Sequence, residues 1–404
     1  MLETTKLPEL LSPAGDLEKL RTVYTYGADA AYIGVSDFSL RENGSRIDEN
    51  SIDALKGIKA EFKDKKLYGA INMFFFDDDI EKLKSSIPLI KSLPLDGVIV
   101  SDIGAGEILK KAISTLPLHL STQASCTNSD SVKLYKSLGY SRIILAREVN
   151  LENIKRIKDA VPDMELEAFI HGAMCMAVSG RCILSKMCTG RSANRGECAH
   201  TCRWKYRLAL EEEERPGEFM PIEENGRFTT LLSSKDLCMI DYLDELKNAG
   251  LSSLKIEGRM KSTYYAAIVT RAYRKALVKD PDTILYKAEL EKVSHREWTT
   301  GFFFDQEKND FAPPKDEYIR SYKFLGTVQN EVRPNIWSID IKNQISSSRE
   351  IECIGPNIIS LNLGKVTPLD ENFIETEHID HGKIGYIKTS LPLQKGYILR
   401  EEVK

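Results

Sequence analysis

Residues 97–125 read GVIVSDIGAGEILKKAISTLPLHLSTQAS. A short apolar run at Gly97–Ser101 leads into an amphipathic stretch at Ala105–Ser114, and a second short run follows at Leu118–Gln123. Runs this short, without polar alternation, are strands buried on both faces, and the segment between them has the period of a helix. The unit recurs on either side. Further strands are expected at Glu9–Ser12, Ala30–Gly34, Leu67–Met73, Arg142–Ala146, Glu165–His171 and Ser253–Glu257. Helices are expected between them at Asp16–Tyr26, Ser51–Phe62, Asp79–Leu93, Ser129–Leu138 and Leu151–Ala160, with a last one at Lys261–Lys279. Asn150 can cap the helix that starts at Leu151. Eight strand–helix units in series predict an α/β fold, a TIM-like (β/α)8 barrel, although an open parallel sheet gives the same alternation.

The alternation is interrupted once, by an insertion at residues 172–236 after the seventh strand. In a barrel this insertion emerges at the C-terminal rim, where active sites are built. Its second half, Leu208–Thr230, reads as an acidic, turn-rich hairpin. The barrel domain is expected to occupy residues 1–280, followed by a linker at 281–320 that contains Pro281, Pro313 and Pro314. Residues 321–404 carry short strands separated by Gly, Pro, Asn and Asp, among them Phe324–Val328, Ile336–Ile341 and Arg349–Ile354. That pattern predicts a small C-terminal all-β barrel domain.

Composition narrows the class. The chain has 404 residues, 42% of them hydrophobic and 29% charged, which is the profile of a soluble globular protein. Its apolar runs are far shorter than the roughly 20 residues that span a bilayer. The N-terminus, MLETTKLPEL, has neither a basic nor an apolar leader region, so a cytoplasmic protein with no membrane partner is expected. A net charge of −4 means that any nucleic-acid surface must be a local patch.

Eight cysteines in a reducing compartment do not read as disulfides. Cys175, Cys182, Cys188, Cys198 and Cys202 crowd the insertion, with the spacing Cys175-x6-Cys182, a gap of fifteen, then Cys198-x3-Cys202. Structural zinc sites usually show tight Cys-x2-Cys knuckles, which are missing here. An iron–sulfur cluster needs only four converging thiolates and tolerates irregular loops. Zinc and a set of free, buried cysteines are the competing readings. Cys188 and Cys238 are rival ligands.

The run Glu167-x-Phe169-x2-Gly172-Ala173-Met174-Cys175-x4-Gly180-x-Cys182-x-Leu184-Ser185 resembles the signature of the collagenase-like peptidase family U32. ELLSPAGDLEKL (9–20), YGADAAYIG (26–34), LSTQA (120–124) and SSLKIEGRMKSTYYAA (252–267) agree with it. The likeness covers nearly the whole chain. Within the family it is greatest to RNA-modifying members, through Cys198-x3-Cys202 followed by RWKY, RPGEFM and SKDL. The resemblance implies a 4Fe-4S cluster on Cys175, Cys182, Cys198 and Cys202, with Cys238 an alternative fourth ligand. It implies tRNA as partner and 5-hydroxyuridine at the wobble position as product, with prephenate, a small dicarboxylate, as co-substrate and oxygen source. Peptidase activity, or hydroxylation of another RNA or of a quinone precursor, is the alternative.

The peptidase reading finds no HExxH helix, since His378 and His381 lack a glutamate base between them, and no Gly-x-Ser-x-Gly elbow. Asn72, Asp102, Gln123, Arg147, Glu148 and His171 fall at strand ends, as do Lys255, Glu257 and Arg259. A dicarboxylate calls for guanidinium groups, which points to Arg147, Arg259 and Arg41. His171, close to the first cysteine, could hydrogen-bond a sulfur or donate a proton, and Gln123 completes the candidate catalytic set with Arg147 and Arg259. Arg191, Arg195, Arg203 and Lys205, with Trp204 and Tyr206 for base stacking, are the candidate RNA contacts.

Overall fold

The computed structural model describes residues 7–39, 51–175, 181–182, 184–204, 209–211, 219–221, 235–304 and 319–403. Seven parallel strands come first: β1 (Glu9–Pro13), β2 (Ala30–Gly34), β3 (Lys66–Ile71), β4 (Gly97–Val100), β5 (Leu118–Leu120), β6 (Tyr140–Ile144) and β7 (Glu165–Ala173). The excursion after β7 contributes a hairpin of β8 (Ala209–Glu211) and β9 (Phe219–Pro221), then β10 (Asp236–Cys238). The eighth barrel strand is β11 (Ser253–Ile256), which pairs in parallel with both β7 and β1 and so closes the cylinder. The sheet is a TIM-like barrel rather than an open layer.

The loops that feed the helices end in capping residues. Asp16, Asp102, Asn128 and Asn150 each accept a hydrogen bond from the backbone N–H three residues on, at 2.8–2.9 Å, and Ser262 does the same for Tyr265 at 3.2 Å. The stretch expected as one helix, Asp79–Leu93, is two, Asp77–Ser85 and Ile87–Ser92, because Pro88 has no N–H to continue the ladder.

Below its mouth the barrel is filled by charge as well as by apolar side chains. Arg142 of β6 donates to Glu9 Oε1 of β1 at 2.6 Å and to Glu167 Oε2 of β7 at 3.1 Å, and pairs with Glu165 at 2.8 Å. Lys255 of β11 lies 3.2 Å from Glu167 Oε1. Burial pushes the Glu167 carboxyl up, but Lys255 and Arg142 outweigh it and hold it below the ordinary carboxylate range. Four strands are tied together by this network.

β10 was not expected. It hooks antiparallel onto the end of β7, with Asp236 opposite Ala173 and Cys238 opposite His171. The stretch read as a linker begins with the helix Thr283–Ala288, and its later strand β12 (Trp298–Thr299) pairs with β10. Arg296 clamps it there, 2.8 Å from buried Asp236. Among the described residues no helix is long and apolar enough to cross a membrane.

The C-terminal domain is a seven-stranded antiparallel sheet curled into a half-barrel around its own apolar core, including Leu325, Ile351, Ile387 and Leu399. It leans on the flank of the first and last barrel helices, Leu17–Thr25 and Thr263–Leu277. Arg400, fully buried, donates to both oxygens of Glu289, to Glu352 and to the Tyr264 hydroxyl. Arg271 donates to the carbonyls of Gly355 and Ile358, both at 2.6 Å.

Removing one member of such a cluster leaves buried charge uncompensated, a loss of about 3–5 kcal/mol. Arg400→Ala is expected to lower stability by that amount in urea unfolding; a loss within about 0.5 kcal/mol, as at an ordinary surface site, would show that the interface does not depend on it.

Candidate functional site

A cavity of about 130 Å³ opens at the C-terminal ends of the barrel strands. From the barrel side it is lined by Tyr32, Asn72, Gln123, Arg147, Phe169 and Lys255, with Glu257 and Arg259 just beyond β11. From the other side it is lined by the excursion, through Cys182, Ser185, Ala193, Cys198, His200 and Cys202, while Cys175 stands where β7 runs out. The backbone departs from the barrel at Gly172, whose φ of +106° and the Glu257 carbonyl, 2.6 Å from where a Cβ would stand, leave room only for glycine.

The four thiols at Cys175, Cys182, Cys198 and Cys202 thus share one cavity wall, half-buried and outside any disulfide. Cys188 is exposed, and Cys126 and Cys353 are buried elsewhere. Cys238 does not line the cavity; its Sγ accepts from the Tyr273 hydroxyl at 3.8 Å, and burial raises its thiol. Among the described residues, no three His, Cys, Asp or Glu side chains close on a point that one metal ion could occupy. Four thiolates on one ion would stand about 3.8 Å apart.

Among the described residues, hydrogen bonds at Asn194–Arg195 and at Arg181 fasten the excursion to the rim. Asn194 accepts from the Cys182 N–H through its side chain and from the Phe74 N–H through its backbone, at 2.9 and 3.0 Å. Beside it, Arg195 grips both oxygens of buried Asp79 at 2.8 and 3.0 Å and stacks on Phe76. The second fastening is Arg181, which donates twice to the Gln123 carbonyl at 3.1 Å. Between Cys198 and Cys202, His200 adopts a left-handed conformation (φ +55°), which histidine enters more readily than most residues.

Of the candidate catalytic set, Arg147, Arg259 and Gln123 line the cavity and His171 does not. The register between β7 and β11 skips a residue: Lys255 pairs with Phe169 and Ile256 with His171. That bulge carries the His171 ring onto the barrel wall, where it is fully buried against Tyr265, Tyr273 and Trp298. Tyr273 stands 3.3 Å from its Nδ1. Burial drives its pKa down to about 3, so the ring is neutral and packs the wall instead of meeting a bound molecule. Asp102 is spent on its helix cap.

Among the candidate RNA contacts, Arg191 is exposed and Trp204 is 45% exposed, whereas Arg195 is committed to Asp79. Lys205, Tyr206, Arg41 and the side chain of Arg203 lie outside the described residues. Lys255, His200 and Tyr32 also face the cavity; of these, only Lys255, at its strand end, carried a signal in the sequence.

Fold and site together define a (β/α)8-barrel protein whose mouth is covered by a cysteine-rich excursion over a cationic cavity. The chain belongs to peptidase family U32: residues 15–312 match that family, and residues 320–400 match its C-terminal domain. It is similar to tRNA hydroxylation protein P of Escherichia coli, with 34% identity covering 86% of each chain. The protein of the same name from Helicobacter pylori is 33% identical over 98% of this chain and 99% of its own. The 23S rRNA 5-hydroxycytidine C2501 synthase of Escherichia coli is 34% identical over 80% of this chain and 48% of its own length.

The neutral, buried His171 gives the fold an acid-sensitive component. In the unfolded chain a histidine takes up its proton near pH 6.5, while the folded protein resists it until about pH 3. Stability from this group is therefore whole above about pH 6.5 and declines as pH falls towards 3, by as much as roughly 4 kcal/mol. His171→Phe is expected to flatten the acid limb of a stability–pH curve measured by denaturant titration. Parallel curves for the two proteins would show that the ring does not stay neutral.

Proposed function

We propose that the protein is an RNA hydroxylase that forms 5-hydroxyuridine at the wobble position of tRNA. In this reading it uses a 4Fe-4S cluster held by Cys175, Cys182, Cys198 and Cys202, and prephenate as the oxygen source. The observation that carries the reading is the presence of four thiols in the lining of one cavity, together with Arg147, Arg259 and Lys255. The named relatives support the choice of RNA hydroxylation over peptide hydrolysis.

The donor set fits the group. Cys175, Cys182, Cys198 and Cys202 carry free thiols and line one space together with Ala173, Met174 and Ala193, and four cysteine thiolates are the ligands that such a cluster takes. A cluster held there supplies redox and Lewis-acid chemistry to a small molecule in the cavity. The chain does the rest. Arg147, whose guanidinium stacks 4.3 Å from the centre of the Phe169 ring, and Arg259 would grip the two carboxylates of the co-substrate. Gln123 and Asn72 would orient its polar edges. The excursion, fastened over the mouth by Arg181 and Arg195, keeps bulk water from the reacting atoms. Exposed Arg191 and Trp204 would receive the anticodon loop, one through phosphate, the other by stacking on an unpaired base. Such a substrate is met in the cytoplasm.

Protein purified without air is expected to bind iron and sulfide in equal amounts and to absorb in the visible. Serine in place of any one of Cys175, Cys182, Cys198 or Cys202 should lower that metal content and, in a strain lacking the wild-type gene, leave tRNA without 5-hydroxyuridine by nucleoside mass spectrometry. Cys238→Ser should keep both. A strain without the protein whose tRNA is unchanged would overturn the function; a metal content indifferent to the four cysteines would overturn the ligand set.

A further inference from the structure

The floor of the cavity holds an amine to which the reading above gives no task. Lys255 is 4% exposed and lines the cavity from the end of β11. Its Nζ stands 4.4 Å from the centre of the Tyr32 ring and 5.3 Å from that of Phe169. Glu167 Oε1 is 3.2 Å away, but Glu167 also serves Arg142 at 3.1 Å, so one carboxylate is divided between two cations. Glu257 lines the same cavity and takes the Tyr32 hydroxyl at 3.3 Å. Burial lowers the Lys255 amine below the ordinary lysine range, with Glu167 and Glu257 acting against it and Arg142 with it. A desolvated lysine beside proton-carrying groups, open to a cavity that also presents Arg147 and Arg259, is the arrangement of an amine that captures carbonyl compounds.

We propose that Lys255 condenses with the ketone of a 2-keto carboxylate, held by Arg147 and Arg259, to form a Schiff base in this cavity. The proposal rests on the reading of the cavity as a carboxylate site and on nothing about RNA. The ammonium first gives up a proton to water in the cavity, the free amine nitrogen attacks the carbonyl carbon, and that proton returns as the oxygen departs. A C–N bond forms while the C–O double bond opens, and the oxygen leaves as water with two of the original ammonium protons. Ammonium and ketone thus give a protonated imine and one water, with no oxidant, reductant or net proton required. The cation so formed withdraws electrons from the bonds next to it, which activates the captured molecule.

The test uses whole protein purified without air, with pyruvate as the probe and sodium cyanoborohydride to reduce an imine to a stable secondary amine. Peptide mass spectrometry is expected to find the reduced adduct with the Lys255 peptide dominant, and to lose it in Lys255→Arg or when pyruvate is replaced by malonate, which has carboxylates and no ketone. Thermal melting with malonate or pyruvate reads carboxylate binding separately. Protection by both probes without an adduct on Lys255 would overturn the Schiff base and leave the carboxylate site standing. Protection by neither, with no adduct, would remove both. Labelling spread evenly over surface lysines would likewise overturn the proposal. Because mapping is done on the wild-type chain, it holds even if Lys255→Arg fails to fold.

Discussion

The carboxylate of Glu167 cannot be buried alone. It sits inside the barrel with no exposure, and it is tolerable there only because Arg142 reaches it from the neighbouring strand β6 and Lys255 from β11. Arg142 in turn needs Glu9 on β1. The cylinder must therefore close with β1, β6, β7 and β11 in one register, since a slip of one residue would turn each charge to the wrong face. An apolar filling would accept several neighbouring packings; this one does not. The floor of the cavity is the upper edge of that network, so the constraint that closes the barrel also fixes where Lys255, Phe169 and Tyr32 stand.

The excursion depends on this frame. Its first residue, Gly172, is pressed against the Glu257 carbonyl, and its return strand β10 finds its partner on the overhanging end of β7. The mouth is built by extending the wall at one seam, between β7 and β11, where the register already carries a bulge. Thiols and cationic side chains line one cavity because the seam and the strand ends lie on one rim.

The eight strands and most helices were legible in the sequence because short apolar runs and capped amphipathic helices are local signals. What escaped was decided at a distance. Strand parity places His171 towards the interior, but the skipped residue at Ile170 reverses it, and no local pattern announces a bulge whose carbonyl is taken up by the distant Tyr273 hydroxyl and Met239 N–H. β10 is three residues long and exists because β7 offers it an edge. Arg195 read as a free cation, and its partner Asp79 lies 116 residues away. The cysteines were legible as a group through their crowding, and their separation from Cys238 became visible only once β10 had been placed.

The fastenings of the excursion reach back to early parts of the chain. Asn194 and Arg195 meet Phe74 and Asp79, just after β3, and Arg181 meets the Gln123 carbonyl, just after β5. The thiol-bearing arc is therefore moored to strands that leave the ribosome well before it does, and its order waits on theirs.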